Sequence, residues 1–270
     1  MMSKAVRLGL ALALPCVLLF VTASTARAQA TATAPPASAQ KPADTAALPT
    51  AQAIIDRHIE AVGGRKALQS HSSVAIKGIM EVPAAGIKGP VEMHAARPNK
   101  MMMKATLAGL GDITEGFDGT TSWSITPMTG PMIATGEELE QKAFSANFDR
   151  TLGMAHQYES MKTVEKTTFE GRPVFKLALT RKGGAVDTEF YDAETGLKAG
   201  SIVDVKSAMG TVTATSVLTD YKKFGDILQP ALLKQSASGA QIIMTFTEMV
   251  YDKVDPAVFE LPAAIKALIK

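Results

Sequence analysis

Apolar and polar residues alternate along much of the chain between residues 50 and 262. Near the end of this region, Ile242, Met244 and Phe246 alternate with Thr245 and Thr247. An alternation with a period of two is typical of a strand that is buried on one face only. Glycine-containing turns separate these runs at short intervals, without intervening helices in the second half of the chain. The pattern therefore predicts an antiparallel sheet with one packed face and one solvated face.

The two faces of this sheet can be assigned from the same alternation. Residues predicted to face the interior are Phe175, Leu177, Leu179, Ile242, Met244 and Phe246, and residues predicted to face solvent include Lys176, Lys198, Asp204 and Lys206. The last long connection is predicted to run from Thr219 to Pro230, between two strands.

Two segments show helical rather than strand periodicity. Residues 50–62 crowd their apolar side chains on one side, and the pair Gly63-Gly64 ends this helix. In the middle of the chain, Thr135 is followed three residues later by Glu138, the spacing of a capping box. The helix predicted there lies between two sets of strands, where it would cover one open side of a curved sheet.

The strands around residues 97–127 carry the residues with the most distinctive chemistry. A methionine-rich run follows Arg97, and a turn containing Asp118-Gly119 precedes the single tryptophan, Trp123. We interpret this region as one wall of an apolar cavity. Methionine is flexible and polarisable, so a wall rich in methionine adapts to apolar ligands of different shapes.

The residues predicted to line this cavity occupy inward strand positions or the apolar side of the middle helix. They are Met101, Met103, Phe117, Trp123, Leu139, Phe144, Phe148, Met244 and Phe246. Each of them is also an ordinary core residue by type, and for Trp123 both roles, core anchor and cavity floor, stay open at this point.

Arg97 stands at the rim of the predicted cavity, directly before Pro98. A guanidinium group beside an apolar rim needs acceptors, and the exposed carbonyl groups at the end of a covering helix would supply them. We therefore predict that Arg97 latches a lid. The alternative is a solvated arginine at the end of a strand.

The first residues have the composition of an export signal. A basic start at Lys4 and Arg7 precedes an apolar run, and Ala26-Arg27-Ala28 resembles a cleavage site. We predict a signal peptide over residues 1–28, a disordered linker over 29–49, the domain over 50–262 and a tail over 263–270. This organisation predicts a periplasmic protein.

Charge and composition narrow the function classes. Residues 1–28 hold three basic and no acidic residues, so their removal would leave 25 basic and 26 acidic residues. Such a balance argues against nucleic acid as a partner. Cys16 is the single cysteine and falls within the predicted signal, and the four histidines are scattered without a metal-ligand spacing. We therefore predict no metal, no cofactor and no catalytic residues.

Three motifs, in matching order, resemble the periplasmic lipoprotein carriers of the LolA type. They are Arg97-Pro98-Asn99 before an apolar strand, Asp118-Gly119 followed by Trp123 and Pro127, and the tail from Val254 to Pro262 with Asp255, Phe259 and Pro262. The resemblance spans most of residues 50–262. Two departures are the Gly63-Gly64 ending of the first helix and methionines where the carriers often have aromatic residues.

The resemblance implies an unclosed antiparallel β half-barrel with a helical lid over an apolar cavity. It also implies that Arg97 corresponds to the family's lid-latching arginine and Trp123 to its tryptophan. The expected function is a non-enzymatic, monomeric carrier for a lipid or the acyl chains of a lipoprotein, with lipoprotein-sorting proteins of the inner and outer membranes as partners. The alternative function is a structural or interaction module of the cell envelope with the same fold and a filled interior.

Overall fold

The computed structural model describes residues 47–207 and 210–269. The predicted signal peptide and most of the predicted linker lie outside these residues. The described helices are α1 Ala51–Ala61, α2 Gly64–Ser70, α3 Gly136–Ser145, α4 Met154–Gln157 and α5 Ala263–Lys266, with 3-10 turns at Pro83–Ala85 and Pro256–Phe259.

The strands of the described chain form one antiparallel sheet. They are β1 Ser73–Val82, β2 Ile87–Ala96, β3 Lys100–Leu107, β4 Gly111–Phe117, β5 Ser122–Thr126, β6 Gly130–Ile133, β7 Tyr158–Phe169, β8 Arg172–Arg181, β9 Val186–Asp192, β10 Lys198–Ser207, β11 Gly210–Phe224, β12 Ile227–Ala237 and β13 Ala240–Tyr251. This confirms the predicted fold class, an unclosed antiparallel half-barrel with few helices.

The sheet consists of two limbs that meet at one strand pair. Its order is β6-β5-β4-β3-β2-β1-β13-β12-β11-β10-β9-β8-β7. We call β1–β6 the first limb and β7–β13 the second limb. Among the described strands, the limbs pair with each other only where β1 lies beside β13, from Val74 opposite Tyr251 to Glu81 opposite Ile243.

The two outer edges of the sheet are each protected from further strand pairing. Strand β6 has only four residues, and α5 packs against it. Strand β7 is longer, but its register shifts near Ser160 and near Val164, and it exposes charged residues such as Lys162 and Lys166. Short edges, bulges and lysines all disfavour edge-to-edge association.

Helix α1 packs on the second limb, as its apolar side predicts. Ile54, Ile55 and Ile59 are almost fully buried against Leu177 and Tyr191. After this helix the backbone must turn sharply against the sheet. Gly63 has φ 135°, and a Cβ atom there would lie 2.8 Å from the carbonyl oxygen of Asp226, so glycine is required on both counts.

A second core, which we call the first-limb core, fills the first limb and the β12–β13 side of the junction. It contains Met103, Met244 and Leu233, with Met80 and Ile113 among its other members. Methionine replaces aromatic residues in much of this core. The two cores are separate, and the space between them is available for a cavity.

Helix α3 bridges the two limbs. On one side, Lys142 Nζ lies 3.1 Å from Glu115 Oε2 on β4, with only 4% and 0% of these side chains exposed. On the other side, the Gln141 amide donates to the Asp204 carbonyl at 2.7 Å and accepts from the Lys206 backbone N–H at 3.0 Å, both on β10. Burial raises the pKa of Glu115, and the Lys142 charge opposes this shift. The helix therefore crosses the concave side and holds the limbs together.

Three sequence-based expectations were wrong in detail. Thr135 precedes α3, but its side chain makes no capping hydrogen bond, so the capping box does not form. The predicted long connection after Thr219 is instead a continuation of β11 and β12, which pair from Phe224 opposite Ile227.

The third correction concerns Lys198, which was predicted to face solvent. A register shift between Lys198 and Gly200 interrupts the alternation of β10. As a result the Lys198 ammonium points inward and lies 2.5 Å from Glu189. A bulge of this kind reverses the direction of a side chain and leaves no reliable signal in the apolar pattern.

We predict that replacing Lys142 by Met destabilises the protein by about 3–5 kcal/mol, because Glu115 would be left as a buried unpaired carboxylate. The double replacement Glu115→Met with Lys142→Met should recover most of this loss. Urea unfolding of the single and double variants measures both effects.

The control for this experiment is Lys206→Met, because Lys206 pairs with Glu137 where the two side chains are 45% and 71% exposed. Its effect should stay below about 1 kcal/mol. Equal losses in Lys142→Met and Lys206→Met would contradict the proposed bridge.

Candidate functional site

An apolar cavity lies between the two cores on the concave side of the sheet. Its volume is about 400 Å³. The first limb contributes Ile76 and Met93, and the second limb contributes Leu218 and Leu233. These strand positions face inward by the same alternation that the sequence shows, so the cavity is the space that neither core fills.

The segment that follows α3 covers this cavity. We call residues 145–152 the lid segment, since most of its side chains, including Ala146, Phe148 and Leu152, line the cavity. Leu152 also packs against the core that Ile54, Ile55 and Ile59 of α1 form with the second limb. The lid segment has no regular secondary structure after Ser145, where α3 ends. Its position is therefore set by its contacts with the rest of the molecule.

Arg97 holds the lid segment from the first limb. Its guanidinium forms a bidentate pair with Asp149, with Nε–Oδ2 at 2.9 Å and Nη2–Oδ1 at 2.7 Å. The same group donates to the carbonyl oxygens of Leu68 at 3.2 Å and Gln69 at 2.9 Å, at the end of α2. The Phe148 N–H adds a hydrogen bond to the Pro98 carbonyl at 3.0 Å. One arginine thus links the lid segment, α2 and the β2–β3 turn.

The acceptors of Arg97 differ partly from the expectation. Carbonyl groups at a helix end do accept from it, but they belong to α2 and not to the middle helix. The lid segment is reached through the Asp149 carboxylate, which the sequence analysis did not single out. Whether this contact acts as a latch stays a prediction.

Arg150 holds the lid segment from the second limb. Its Nη2 atom lies 3.3 Å from Glu189 Oε1 and 3.2 Å from the Tyr158 hydroxyl. Glu189 also receives hydrogen bonds from Lys198 at 2.5 Å and from the Tyr191 hydroxyl at 2.6 Å. Burial alone would raise the pKa of Glu189, but the charges of Lys198 and Arg150 lower it to about 2. Neighbouring residues of opposite charge, Asp149 and Arg150, therefore attach the lid to opposite limbs.

His71 lies at one end of the cavity and contributes to its wall. It connects the chain that follows α2 to two carboxylates that are distant in the sequence. Its Nδ1 lies 2.7 Å from Asp252 and its Nε2 lies 2.7 Å from Asp226. The ring stacks on Tyr251 with centroids 4.3 Å apart. Because both nitrogens face carboxylate oxygens, both must donate, and the imidazole is held as the cation. Burial alone would lower the pKa of His71, but the hydrogen bonds to Asp252 and Asp226 raise it.

The structure brings three of the predicted cavity residues to the cavity and places six elsewhere. Met101, Phe148 and Phe246 line it. Met103 and Met244 are completely enclosed in the first-limb core. Phe117 is buried, and Trp123 is buried against Gly116 beside the start of α3. Leu139 is half-buried on α3 and does not line the cavity.

The ninth predicted residue, Phe144, faces a different cleft. This second cleft, about 610 Å³, lies between α3 and the β8–β9 and β10–β11 strands. Phe144 lies there under Arg181, whose Cζ is 4.5 Å from the ring centroid. Charged side chains such as Glu137 and Lys206 form much of the remaining wall. The apolar cavity is therefore the better candidate for an apolar ligand.

Sequence reasoning missed Asp149, Arg150 and His71. The only available signal for the first two was the adjacency of opposite charges directly after Phe148, in a region already predicted to cover the sheet. His71 gave no signal, because Asp226 and Asp252 are distant in sequence and are brought to it by separate turns.

Two features are absent from the residues that the structure describes. Across residues 47–207 and 210–269, no three His, Cys, Asp or Glu side chains are grouped so that they could hold a metal ion. None of the helices in this part of the chain has the length and apolar character needed to cross a membrane.

Fold and site together define an unclosed half-barrel that holds an apolar cavity under a tethered lid segment. The fold is LolA-like. It is similar to the crystal structure of LolA superfamily protein NE2245 from Nitrosomonas europaea, with a TM-score of 0.52 and 14% identity over 79% of this chain and 99% of that chain. A DUF1329 family protein from Desulfovibrio piger is also similar, with a TM-score of 0.52 and 11% identity over 78% and 97% of the chains.

These similarities concern the fold, since the sequence identities are low. The sequence matches no protein-family model and no curated protein. The LolA-like resemblance inferred from three short motifs is thus confirmed at the level of structure.

We predict that the His71 contacts make stability pH-dependent. The pKa of His71 is raised in the folded state. Its contribution to the free energy of unfolding is therefore fully present below the ordinary histidine pKa of about 6.5, and it is lost as the pH rises through the raised folded-state pKa. His71 and the Ser72 N–H lower the pKa of Asp252 to about 2. The contribution of Asp252 to stability is therefore lost as the pH falls from about 3.8 toward 2. Melting temperatures of the wild type and His71→Gln should therefore differ most between about pH 4 and 6.5, and converge at alkaline pH.

The matched control is His156→Gln, at an exposed histidine on α4. A melting profile for His71→Gln that parallels the wild type at every pH would argue against the charged contacts.

Proposed function

We propose that this chain is a non-enzymatic periplasmic carrier that binds a lipid, or the acyl part of a lipoprotein, in its apolar cavity. The observation that carries the proposal is the cavity of about 400 Å³ between the two cores, covered by a segment tethered to both limbs. This volume falls within the range of about 300–1,000 Å³ that is usual for small-molecule sites.

Burial of hydrocarbon is sufficient to drive binding in such a site. Each buried methylene contributes about 0.8 kcal/mol, so an acyl chain binds usefully without specific polar chemistry. The walls provided by Ile76, Met93, Met101, Leu218 and Phe246 are suited to this contact. Their flexible methionines also tolerate different chain conformations.

A carrier must also release its ligand, and the lid contacts are suited to opening. The Arg97–Asp149 pair is partly exposed, with 29% and 40% of the two side chains accessible. Solvent weakens such pairs, which contribute about 1 kcal/mol or less. On its Arg97 side the lid segment can therefore be attached in the ligand-free protein and still detach at small cost, while Arg150 stays bound to Glu189.

The predicted export signal and the LolA-like fold support a place in the periplasm. Lipoprotein-sorting proteins of the inner and outer membranes are the partners proposed for loading and unloading. We propose that the chain acts as a monomer, since both edges of the sheet are protected.

The direct test is native mass spectrometry of the protein purified from its host, followed by lipid extraction and mass analysis. We expect a fraction of the protein to carry lipid. A clean ligand-free mass, together with no binding of added lipid, would favour the alternative function of a structural or interaction module.

We predict that Arg97→Leu accelerates the exchange of a bound fluorescent fatty-acyl probe about fivefold, which corresponds to the loss of about 1 kcal/mol of lid attachment. Arg97→Lys should give a smaller change, because an ammonium keeps the charge but cannot form the bidentate pair. Stopped-flow displacement measures the rates.

Arg57→Leu is the matched control. Arg57 also donates from its guanidinium to two backbone carbonyls, those of Ala193 and Glu194, but it attaches α1 and not the lid segment. Exchange in Arg57→Leu should equal that of the wild type. If Arg97→Leu and wild type exchange the probe at the same rate, the latch role is wrong.

A further inference from the structure

The lid segment contributes Ser145, Asn147, Asp149 and Thr151 to the cavity lining, whereas the sheet walls are apolar except at one end. At the polar end lie His71, Gln229 and Tyr251, with the Gln229 amide 3.4 Å from the Tyr251 hydroxyl. The carboxylates that hold His71 are 54% exposed at Asp226 and 41% exposed at Asp252, so this end lies near the protein surface. A ligand that fills the cavity would place its hydrocarbon between the limbs and its polar head at this end.

The volume limits how much hydrocarbon can enter. A protein cavity of about 150 Å³ accommodates benzene, which has six carbon atoms, or about 25 Å³ per carbon. By the same ratio, the volume of about 400 Å³ corresponds to roughly 16 carbons. That is one common acyl chain, whereas two such chains would need about twice the volume.

The contacts of the lid segment oppose widening of the cavity. Asp149 is attached to Arg97 on the first limb, and Arg150 is attached to Glu189 on the second limb. Moving the limbs apart to admit a second chain would strain these pairs and also the buried Lys142–Glu115 pair that anchors α3 to the first limb. The Glu189 side chain is only 2% exposed. Breaking its contact with Arg150 would therefore remove one partner of a buried carboxylate, which is costly.

From these three observations we infer that the ligand is a single-chain amphiphile. One acyl chain of about 16 carbons fills the cavity, and its head group lies beside His71, Gln229 and Tyr251. This inference rests on the proposed carrier function and adds the number and length of the chains. For a lipoprotein cargo, only one of the attached chains would be enclosed.

The first experiment measures binding of lysophosphatidylcholines with acyl chains of 8 to 18 carbons, below their critical micelle concentrations. Affinity should rise about fourfold per added methylene while each methylene is buried, and then level off near 16 carbons. A plateau at 10 carbons or fewer, or a plateau absent up to 18 carbons, would overturn the stated length.

The second experiment compares lysophosphatidylcholine with the diacyl phosphatidylcholine of the same chain length, so that the head group is constant. Native mass spectrometry should show one monoacyl molecule per protein, and at least tenfold weaker binding of the diacyl lipid. Diacyl binding that is equal or tighter would overturn the single-chain inference but leave the carrier function intact. Absence of binding by both lipids would overturn the inference and the carrier function together.

A variant of the wall provides an internal check. Ala95 lines the cavity, whereas Ala96, its neighbour on β2, does not. Ala95→Phe adds a phenyl ring and should shorten the optimal chain by about six carbons. Ala96→Phe should leave the chain-length profile unchanged. Identical profiles for the two folded variants would contradict the assignment of this cavity as the acyl site.

Discussion

An open sheet of this size depends on a link across its concave side. The two limbs share one strand pair, β1 with β13, and among the described residues their outer edges do not pair with each other. Helix α3 supplies the link, through Lys142 to the first limb and Gln141 to the second. The lid segment extends that link through Asp149 and Arg150. The cavity is bounded by these connections, which hold the limbs together across the concave side, and by the cores, which fill only the two sides.

The charged contacts in this link differ in how deeply they are buried, and burial sets how costly each contact is to break. Lys142 and Glu115 are buried, and Glu189 lies inside a cluster of cations and tyrosines. Removing a partner from such contacts is costly. The Arg97–Asp149 pair is partly solvated and correspondingly weak. The molecule thus combines a buried bridge at α3 with a partly solvated lid contact, the combination that the proposed carrier function requires.

The sequence was sufficient to predict the sheet, helix α1, the presence of α3 and the LolA-like fold, because these depend on local periodicity and short motifs. It was less informative about the cavity. Met103 and Met101 lie on the same face of one strand and look alike in the pattern, yet one is enclosed in the core and the other borders the cavity. Lys198 was misassigned since a bulge is a feature of pairing rather than of composition. The contacts of His71 and Asp149 join residues far apart in the chain, and no local pattern encodes them.

The pairing of β1 with β13 also has a consequence for how the chain acquires its structure. Strand β1 pairs with β2, its neighbour in sequence, and with β13, the last strand, so the junction between the limbs cannot form until nearly all of the domain is available. Every other pair among the described strands joins neighbours in the sequence, so each limb can form from local hairpins, which fold faster than distant pairings. Closing this one distant pair is therefore the step that brings the two limbs, and the cavity between them, together.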